Sequence, residues 1–328
     1  MSHITLYRKY RPVTFDQVLG QDHIIQPLSK TVISNTPSHA YMFAGSRGTG
    51  KTSTARIFAR ALGVEDIDIH EIDAASQRRV EDMREFITEV GTRPMISPYK
   101  VYIFDEVHML TRESANTFLK TLEEPPAHVI FILCTTDLDK VLDTIISRCQ
   151  THIFKQPDTT IIANMLMEGA QSEGYTLDGA AAALIARHAR GAFRDAWGLL
   201  EKIISQVDTG TIISEDIAHN ILQKGTTSTV TVLQHMHDNN LSAILGMMYE
   251  SERSGGDVSG LLDTLVHYIR IIILMRFAPA VADEMVSYMD GSTVSILRDY
   301  AAEPKNIFNS QTLLRLLQVQ STGDHAGT

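Results

Sequence analysis

Between Tyr41 and about Gln156, short apolar runs alternate with stretches whose apolar positions recur at helical intervals. YMFAG, KTSTARIFARALG, IHEID, VEDMREFITEV, VYIFDEV, ESANTFLKTLEE and HVIFILCTT follow one another in that order. Strand-length apolar runs separated by helices predict a mostly parallel sheet covered on both faces, an α/β architecture. After Pro157 the strand-like runs stop, and IIANMLMEG, AAALIARHA and DAWGLLEKII keep helical spacing, which predicts a small helical domain. A third, all-helical section opens near Gly225 and carries LLDTLVHYIRIIILM, VSILRDY and SQTLLRLLQ, parted by the turn-rich SGGDVSG and AEPKN. The closing STGDHAGT is polar with nothing to pack, and is expected to fray. The expected boundaries are 1–156, 157–222, 223–320 and a tail over 321–328.

Composition narrows the classes. At 328 residues the chain exceeds what one hydrophobic core usually organises, and 44% hydrophobic with 21% charged residues excludes a disordered or fibrous chain. A net charge of −10 means that any nucleic-acid contact must come from local basic patches rather than from the whole surface. Two cysteines, Cys134 and Cys149, cannot form a four-thiolate zinc site or a disulfide framework, so a cytoplasmic setting is expected. The N-terminus has no apolar signal region, and Asp263, Arg270 and Arg276 interrupt the most apolar stretch, so no membrane segment is expected.

Three strand ends carry chemistry. Gly45-Ser46-Arg47-Gly48-Thr49-Gly50-Lys51-Thr52, followed by Ser53, fits G-x-x-x-x-G-K-[ST], leaves the apolar HAYMFA and enters a helix closed by Gly63. Such a loop turns backbone N–H groups inward around phosphates. Lys51 adds a point charge, and Thr52 offers a hydroxyl to Mg2+. Val101-Tyr-Ile-Phe-Asp105-Glu106 ends in two carboxylates at the sheet edge, suited to holding the metal (Asp105) and polarising a water (Glu106); alone, both acids could simply be solvated. Phe131-Ile-Leu-Cys-Thr135-Thr136-Asp137 delivers hydroxyls at a third strand end, or is merely a strand stopped by turn formers. Arg148, in Ser147-Arg148-Cys149, reads by itself as a surface charge.

These residues resemble the AAA+ ATPase subunits of clamp loaders, most closely the gamma/tau family of bacterial DNA polymerase III. The carrying segments are YRKYRPVTFDQVLGQ, GSRGTGKTS, EIDAAS, VYIFDEVHML, LKTLEEPP, FILCTTD, ISRC and GAFRDA, spanning residues 4 to about 200. The resemblance implies an AAA+ P-loop NTPase with a parallel sheet, a helical lid and a helical collar for oligomerisation. It implies ATP and Mg2+ as ligands, with Val18 against adenine and Tyr10, Arg11 and Pro12 in the same wall. Thr14 with Gln17 reads independently as a capping box starting a helix there. The resemblance further implies that Thr136 is the sensor-1 residue and Arg194 the sensor-2 residue. Arg148 corresponds to the arginine finger that reaches a neighbouring subunit's site.

Ser76, Arg78 and Arg79 fall where clamp loaders touch the DNA backbone, although a solvated helix face explains them equally. The implied partners are other clamp-loader subunits in a hetero-oligomeric ring, a sliding clamp and primer–template DNA. Two departures stand out. Gly63-Val-Glu-Asp-Ile-Asp directly joins segments that the family usually separates by a four-cysteine zinc module, so no zinc is expected. The pair His235 and His237 does not replace it, because residues two apart face different sides of a helix. The collar also stops early, and the long tau tail is missing from this sequence. An AAA+ translocase or helicase of the branch-migration type is the alternative, suggested by Asp105-Glu106-Val107-His108. A DExH-type translocase needs a second nucleotide-fold lobe, which the helical sequence after Pro157 does not supply. A non-catalytic ring member is disfavoured by the intact Lys51, Asp105, Glu106 and Arg148.

Overall fold

The computed structural model describes residues 4–76, 80–223, 229–253, 258–286, 289 and 291–302. The chain divides into two units, residues 1–218 and 219–328. In the first, helices α1 (Leu6–Lys9) and α2 (Asp22–Ser34) precede β1 (Ala40–Ala44), α3 (Lys51–Ala61), β2 (Ile69–Asp73), α4 (Val80–Val90) and β3 (Lys100–Asp105). Then come α5 (Arg112–Glu123), β4 (Val129–Thr135), α6 (Asp143–Ile146) and β5 (Gln150–Ile153). The five strands form one parallel sheet in the order β2-β3-β4-β1-β5.

The apolar runs become strands because they are buried on both faces, and their alternate residues feed two separate cores. Met42, Tyr102, Phe104, Phe131 and Leu133 point to one side, where Met83 and Phe86 of α4 and Phe118 and Leu122 of α5 cover them. Tyr41, Phe43, Val101, Ile103, Ile130 and Ile132 point to the other, under Ile24 and Leu28 of α2 and Phe58 of α3. Phe86 meets both Tyr102 and Phe104 edge-on, with centroids 5.0 and 5.1 Å away, a favourable aromatic geometry. β5, QTHI, has no apolar run; it is an edge strand with mostly exposed positions, which is why its sequence does not announce it.

Gly20, at φ 71, ends the segment before α2. The capping box at Thr14 and Gln17 does not form as expected. The element is a three-residue 3-10 turn, Phe15–Gln17, in which Thr14 makes no side-chain cap and Gln17 Oε1 accepts from Val13 N at 2.8 Å. The glutamine reaches back one residue further than a capping box requires, and three residues leave no helix to cap.

Beyond the sheet come α7 (Thr159–Ser172), β6 (Thr176–Leu177), α8 (Gly179–His188), α9 (Phe193–Ile204), β7 (Ile212–Ile213) and α10 (Glu215–Gln223). This section is helical as its spacing predicts, with one addition: β6 and β7 pair in parallel, a two-residue ladder too short to read from sequence. The second unit contains α11 (Thr229–His237), α12 (Leu241–Arg253), α13 (Val258–Phe277), α14 (Pro279–Val286) and α15 (Gly291–Ala302). Leu233, Ile269, Ile272, Val286 and Leu297 make its core, and Arg276 donates to the carbonyls of Tyr300 and Ala301 at 2.6 and 2.9 Å. SQTLLRLLQ and the tail over 321–328 lie outside the described residues. No helix among the described residues is long and apolar enough to cross a membrane.

One buried carboxylate fixes a loop. Asp68 has no exposed surface and accepts from the backbone N–H groups of Met95, Ile96 and Ser97 at 2.6, 3.1 and 2.9 Å, pinning the α4–β3 connection to the start of β2. Burial by itself raises the Asp68 carboxyl; these donors and the Ser97 hydroxyl reverse that and bring it from 3.8 to about 2. The ionised form is therefore the one the fold favours. Its contribution, about 2 kcal/mol, is present above pH 4 and is lost as pH falls toward 2. Asp68→Asn should lower stability at neutral pH by roughly that amount and flatten the acid limb of a urea-denaturation pH series. An unchanged acid limb would refute the assignment.

Candidate functional site

Because the strands are parallel, the ends of β1, β3 and β4 emerge at one edge of the sheet, the place where open α/β sheets bind ligands. Around it lies a cavity of about 200 Å³ lined by the loop Arg47–Ser53, by Asp105 and Glu106, and by residues from α1, α7 and α9. The loop is closely confined. A Cβ on Gly45 (φ 150) would lie 2.5 Å from the Phe154 carbonyl oxygen, and one on Gly48 (φ 77) 2.8 Å from the Ala192 Cβ. Only glycine satisfies both the backbone angle and the space at these two positions.

Lys51 opens α3 and is buried, its Nζ donating to the carbonyls of Gly45 and Ser46 at 2.7 and 2.9 Å. Burial pulls its ammonium down, and the nearby Glu106 and Asp105 carboxylates act the other way. Thr49 Oγ1 donates to the Ser46 carbonyl at 2.9 Å, bracing the loop from within. Thr52 Oγ1 donates to Asp105 Oδ2 at 3.1 Å, so two residues 53 apart in sequence meet as a pair of hard oxygen donors. Such donors, both facing the cavity, fit Mg2+ rather than a softer metal. Among the described residues no group of three or more His, Cys, Asp or Glu is placed to hold a metal.

Glu106 adopts φ 50, a left-handed conformation unusual outside glycine, at the turn leaving β3. Its Oε2 accepts from the backbone N and the hydroxyl of Thr136 at 3.2 and 2.8 Å. His108 Nδ1 is 3.4 Å from the same oxygen and 3.0 Å from Thr135 Oγ1. Thr135 Oγ1 donates to the Asp137 carbonyl, so its bond with His108 requires the imidazole Nδ1 to carry the hydrogen. The β3 and β4 termini are thereby locked together around one carboxylate oxygen.

The far wall comes from the N-terminal segment and the helices after the sheet. Tyr10, Arg11, Pro12 and Val18 line the cavity together. Tyr10 stacks on Trp197, centroids 4.6 Å apart, and its hydroxyl bonds to Glu173, which also accepts from Lys9 at 2.6 Å. Arg194 lines the cavity and lies over the Tyr7 ring, 5.7 Å from its centroid. The amide of Phe193 donates to the Gly48 carbonyl at 3.0 Å, joining the start of α9 directly to the glycine loop. Four cationic side chains, Arg11, Arg47, Lys51 and Arg194, face two carboxylates across this space, a local positive excess in an acidic chain. Burial lowers the Arg11 guanidinium, and Arg56 adds to the effect.

Sequence reasoning missed Tyr7, Gln17, Leu19, Met165, Phe193 and Trp197 as cavity residues. Trp197 carries a readable signal: it is the single tryptophan and stands three residues after Arg194, on the same helical face. Trp197 also depends on Gly169, where a Cβ would fall 2.2 Å from its ring.

The remaining predicted residues lie elsewhere. Gly45 and Ser46 stand behind the loop rather than on the cavity surface, and Thr136 reaches it through Glu106. Arg148 is not among the lining residues and is one-third exposed, paired with Glu123. Ser76 is exposed and donates to Asp73 Oδ2 at 2.9 Å, whereas Arg78 and Arg79 lie outside the described residues.

A family model described as DNA polymerase III, delta subunit, matches residues 63–158. The tau subunit of Bacillus subtilis DNA polymerase III is 38% identical over 85% of this chain and 53% of its own length. The tau subunit of Escherichia coli is 34% identical over 85% of this chain and 47% of its own length. The gamma subunit of Buchnera aphidicola is 39% identical over 62% of this chain and 61% of its own. The chain thus spans about half the length of the tau relatives it matches. Among solved structures, Thermotoga maritima RuvB, a Holliday junction branch migration motor, superposes with a TM-score of 0.57 at 20% identity, covering 72% of this chain and 85% of that one. That likeness shows the AAA+ fold alone. With the glycine loop, the paired carboxylates and Thr136 gathered at one sheet edge, the chain is homologous over most of its length to tau and gamma subunits of DNA polymerase III, at identities of 34–39%.

Proposed function

We propose that the chain is an ATP-hydrolysing motor subunit of a clamp loader, binding ATP with Mg2+ in the cavity of its first unit. The observation that carries this reading is the meeting of three strand ends: Lys51 and Thr52 after β1, Asp105 and Glu106 after β3, Thr136 after β4. Arg47 to Ser53 would surround the phosphates with backbone N–H groups, with Gly45 and Ser46 supporting the loop from behind, aided by the partial positive charge at the start of α3. Lys51 and Arg194 would meet the terminal phosphates, while Tyr10, Arg11, Pro12 and Val18 bracket the base. Thr52 and Asp105 would hold Mg2+, which when bound neutralises phosphate charge and polarises the phosphorus–oxygen bond.

The reaction is attack of water on the γ-phosphoryl group. Glu106 orients and polarises that water, and Thr136 holds the carboxylate in place through the two hydrogen bonds described above. Arg148 serves a neighbouring subunit's site, which accords with its exposure and its distance in the fold from its own cavity. The guanidinium there meets charge developing on the transferred group. The broader reading follows the family: a cytoplasmic hetero-oligomeric ring in which ATP binding closes the ring on a sliding clamp and primer–template DNA, and hydrolysis releases them. Ser76, Arg78 and Arg79 would touch the DNA backbone, without a zinc module and without polymerase activity of the chain's own.

Lys51→Ala should abolish saturable ATP binding. Glu106→Gln should keep binding within a few-fold and lose turnover by about 10²–10⁴; unchanged steady-state hydrolysis in this variant would remove Glu106 as the group acting on water. The trans role is tested in the complex recovered with its co-purifying subunits. Arg148→Ala should cut turnover by about 10³ or more, and mixing it with Lys51→Ala chains, which retain Arg148, should restore part of the activity. Full turnover by an isolated Arg148→Ala chain contradicts the assignment. Stimulation by primed DNA together with a sliding clamp separates a loader from a branch-migration motor, which needs no clamp.

A further inference from the structure

The segment LKTLEEPP has no role in the site described so far, yet its Glu123 is the side chain that holds Arg148. Arg148 Nη2 lies 2.5 Å from Glu123 Oε1, and Nη1 donates to the Thr144 carbonyl at 2.6 Å, with Ser147 Oγ at 3.5 Å. Thr144 belongs to α6, and its carbonyl, which also accepts from Ser147 Oγ at 3.2 Å, gives the guanidinium a second fixed partner at the end of that helix. Both partners stand on fixed ground. Leu122, next to Glu123, and Ile145, three residues before Arg148, are buried in one core under the sheet, and Cys149 packs against it.

We propose that Glu123 is a positioning residue for Arg148, fixing the guanidinium at the surface before a neighbouring subunit's nucleotide arrives. This deepens the reading of Arg148 given above and rests on it. A free arginine side chain samples many rotamers, and that freedom would have to be lost on each encounter with the phosphates. Holding one Nη with a carboxylate and the other with a backbone carbonyl selects one orientation in advance and leaves further N–H groups of the planar fork to donate. Stability alone does not account for the pair. Glu123 is half-exposed and Arg148 one-third exposed, and ion pairs in such settings contribute little to folding. Glu123 also ends α5, where the partial negative charge of the helix terminus disfavours an acid; pairing with Arg148 offsets this.

The test compares Glu123→Ala, Glu123→Gln, Arg148→Ala and the double variant Glu123→Ala/Arg148→Ala, each in the complex recovered with its co-purifying subunits. Glu123→Ala should lower kcat for ATP hydrolysis about three- to tenfold with KM unchanged. Glu123→Gln, which keeps an oxygen acceptor of the same reach, should stay within about twofold of the parent. The double variant should be no slower than Arg148→Ala alone, because a positioning residue has nothing left to position. Melting curves should match throughout. A loss from Glu123→Ala that persists in the Arg148→Ala background, an unchanged kcat, or an increase in kcat overturns the positioning role while leaving Arg148 in place. If Arg148→Ala itself leaves turnover unchanged, the trans-arginine reading fails first and takes this inference with it.

Discussion

Lys51, Thr52, Asp105, Glu106 and Thr136 come together because β1, β3 and β4 are parallel and buried on both faces. β4 lies between the other two, so their C-terminal ends come out together. Burial on two faces requires that alternate side chains satisfy two different cores, and a slip of one residue would exchange them. Register is therefore fixed by packing far from the chemistry. The consequences appear at bond length: a threonine on α3 meets a carboxylate on β3, and a carboxylate after β3 meets a threonine after β4.

The glycine loop extends this logic to the helices beyond the sheet. Gly48 touches Ala192, and its carbonyl takes the first amide of α9, so loop position and helix position are coupled by direct contact. Tyr10 stacked on Trp197 ties the N-terminal segment to the same helix. A ligand filling the cavity would press on α1, α3 and α9 together.

Much of this arrangement is legible in the order of the residues. The alternation of apolar runs and helical spacing yields four of the five strands, and G-x-x-x-x-G-K-[ST] after HAYMFA places the phosphate loop. The features that are not legible there have physical reasons for being hidden. β5 is a polar edge strand held by pairing with β1 rather than by burial, and β6 with β7 is only two residues long. The wall residue Met165 looks like ordinary helix core until the fold brings α7 to the cavity. The Thr14–Gln17 pattern resembles a helix start but lacks a helix long enough to use it. Partnerships across sequence, such as Glu123 with Arg148, have no local signature at all. Fold likeness alone would also mislead: RuvB shares the architecture at 20% identity, whereas the tau and gamma subunits are 34–39% identical.

In the function proposed for this chain, adenosine triphosphate occupies the cavity between the glycine loop, the N-terminal segment and α9. Photo-cross-linking of the purified chain with an azido-adenine analogue of ATP, followed by peptide mapping, tests it most directly. Saturable labelling is expected, one per chain, on the peptide containing Tyr10 to Val18 or on those containing Met165 and Trp197, competed by ATP with magnesium. Labelling confined to the second unit, or none that ATP competes away, would contradict it.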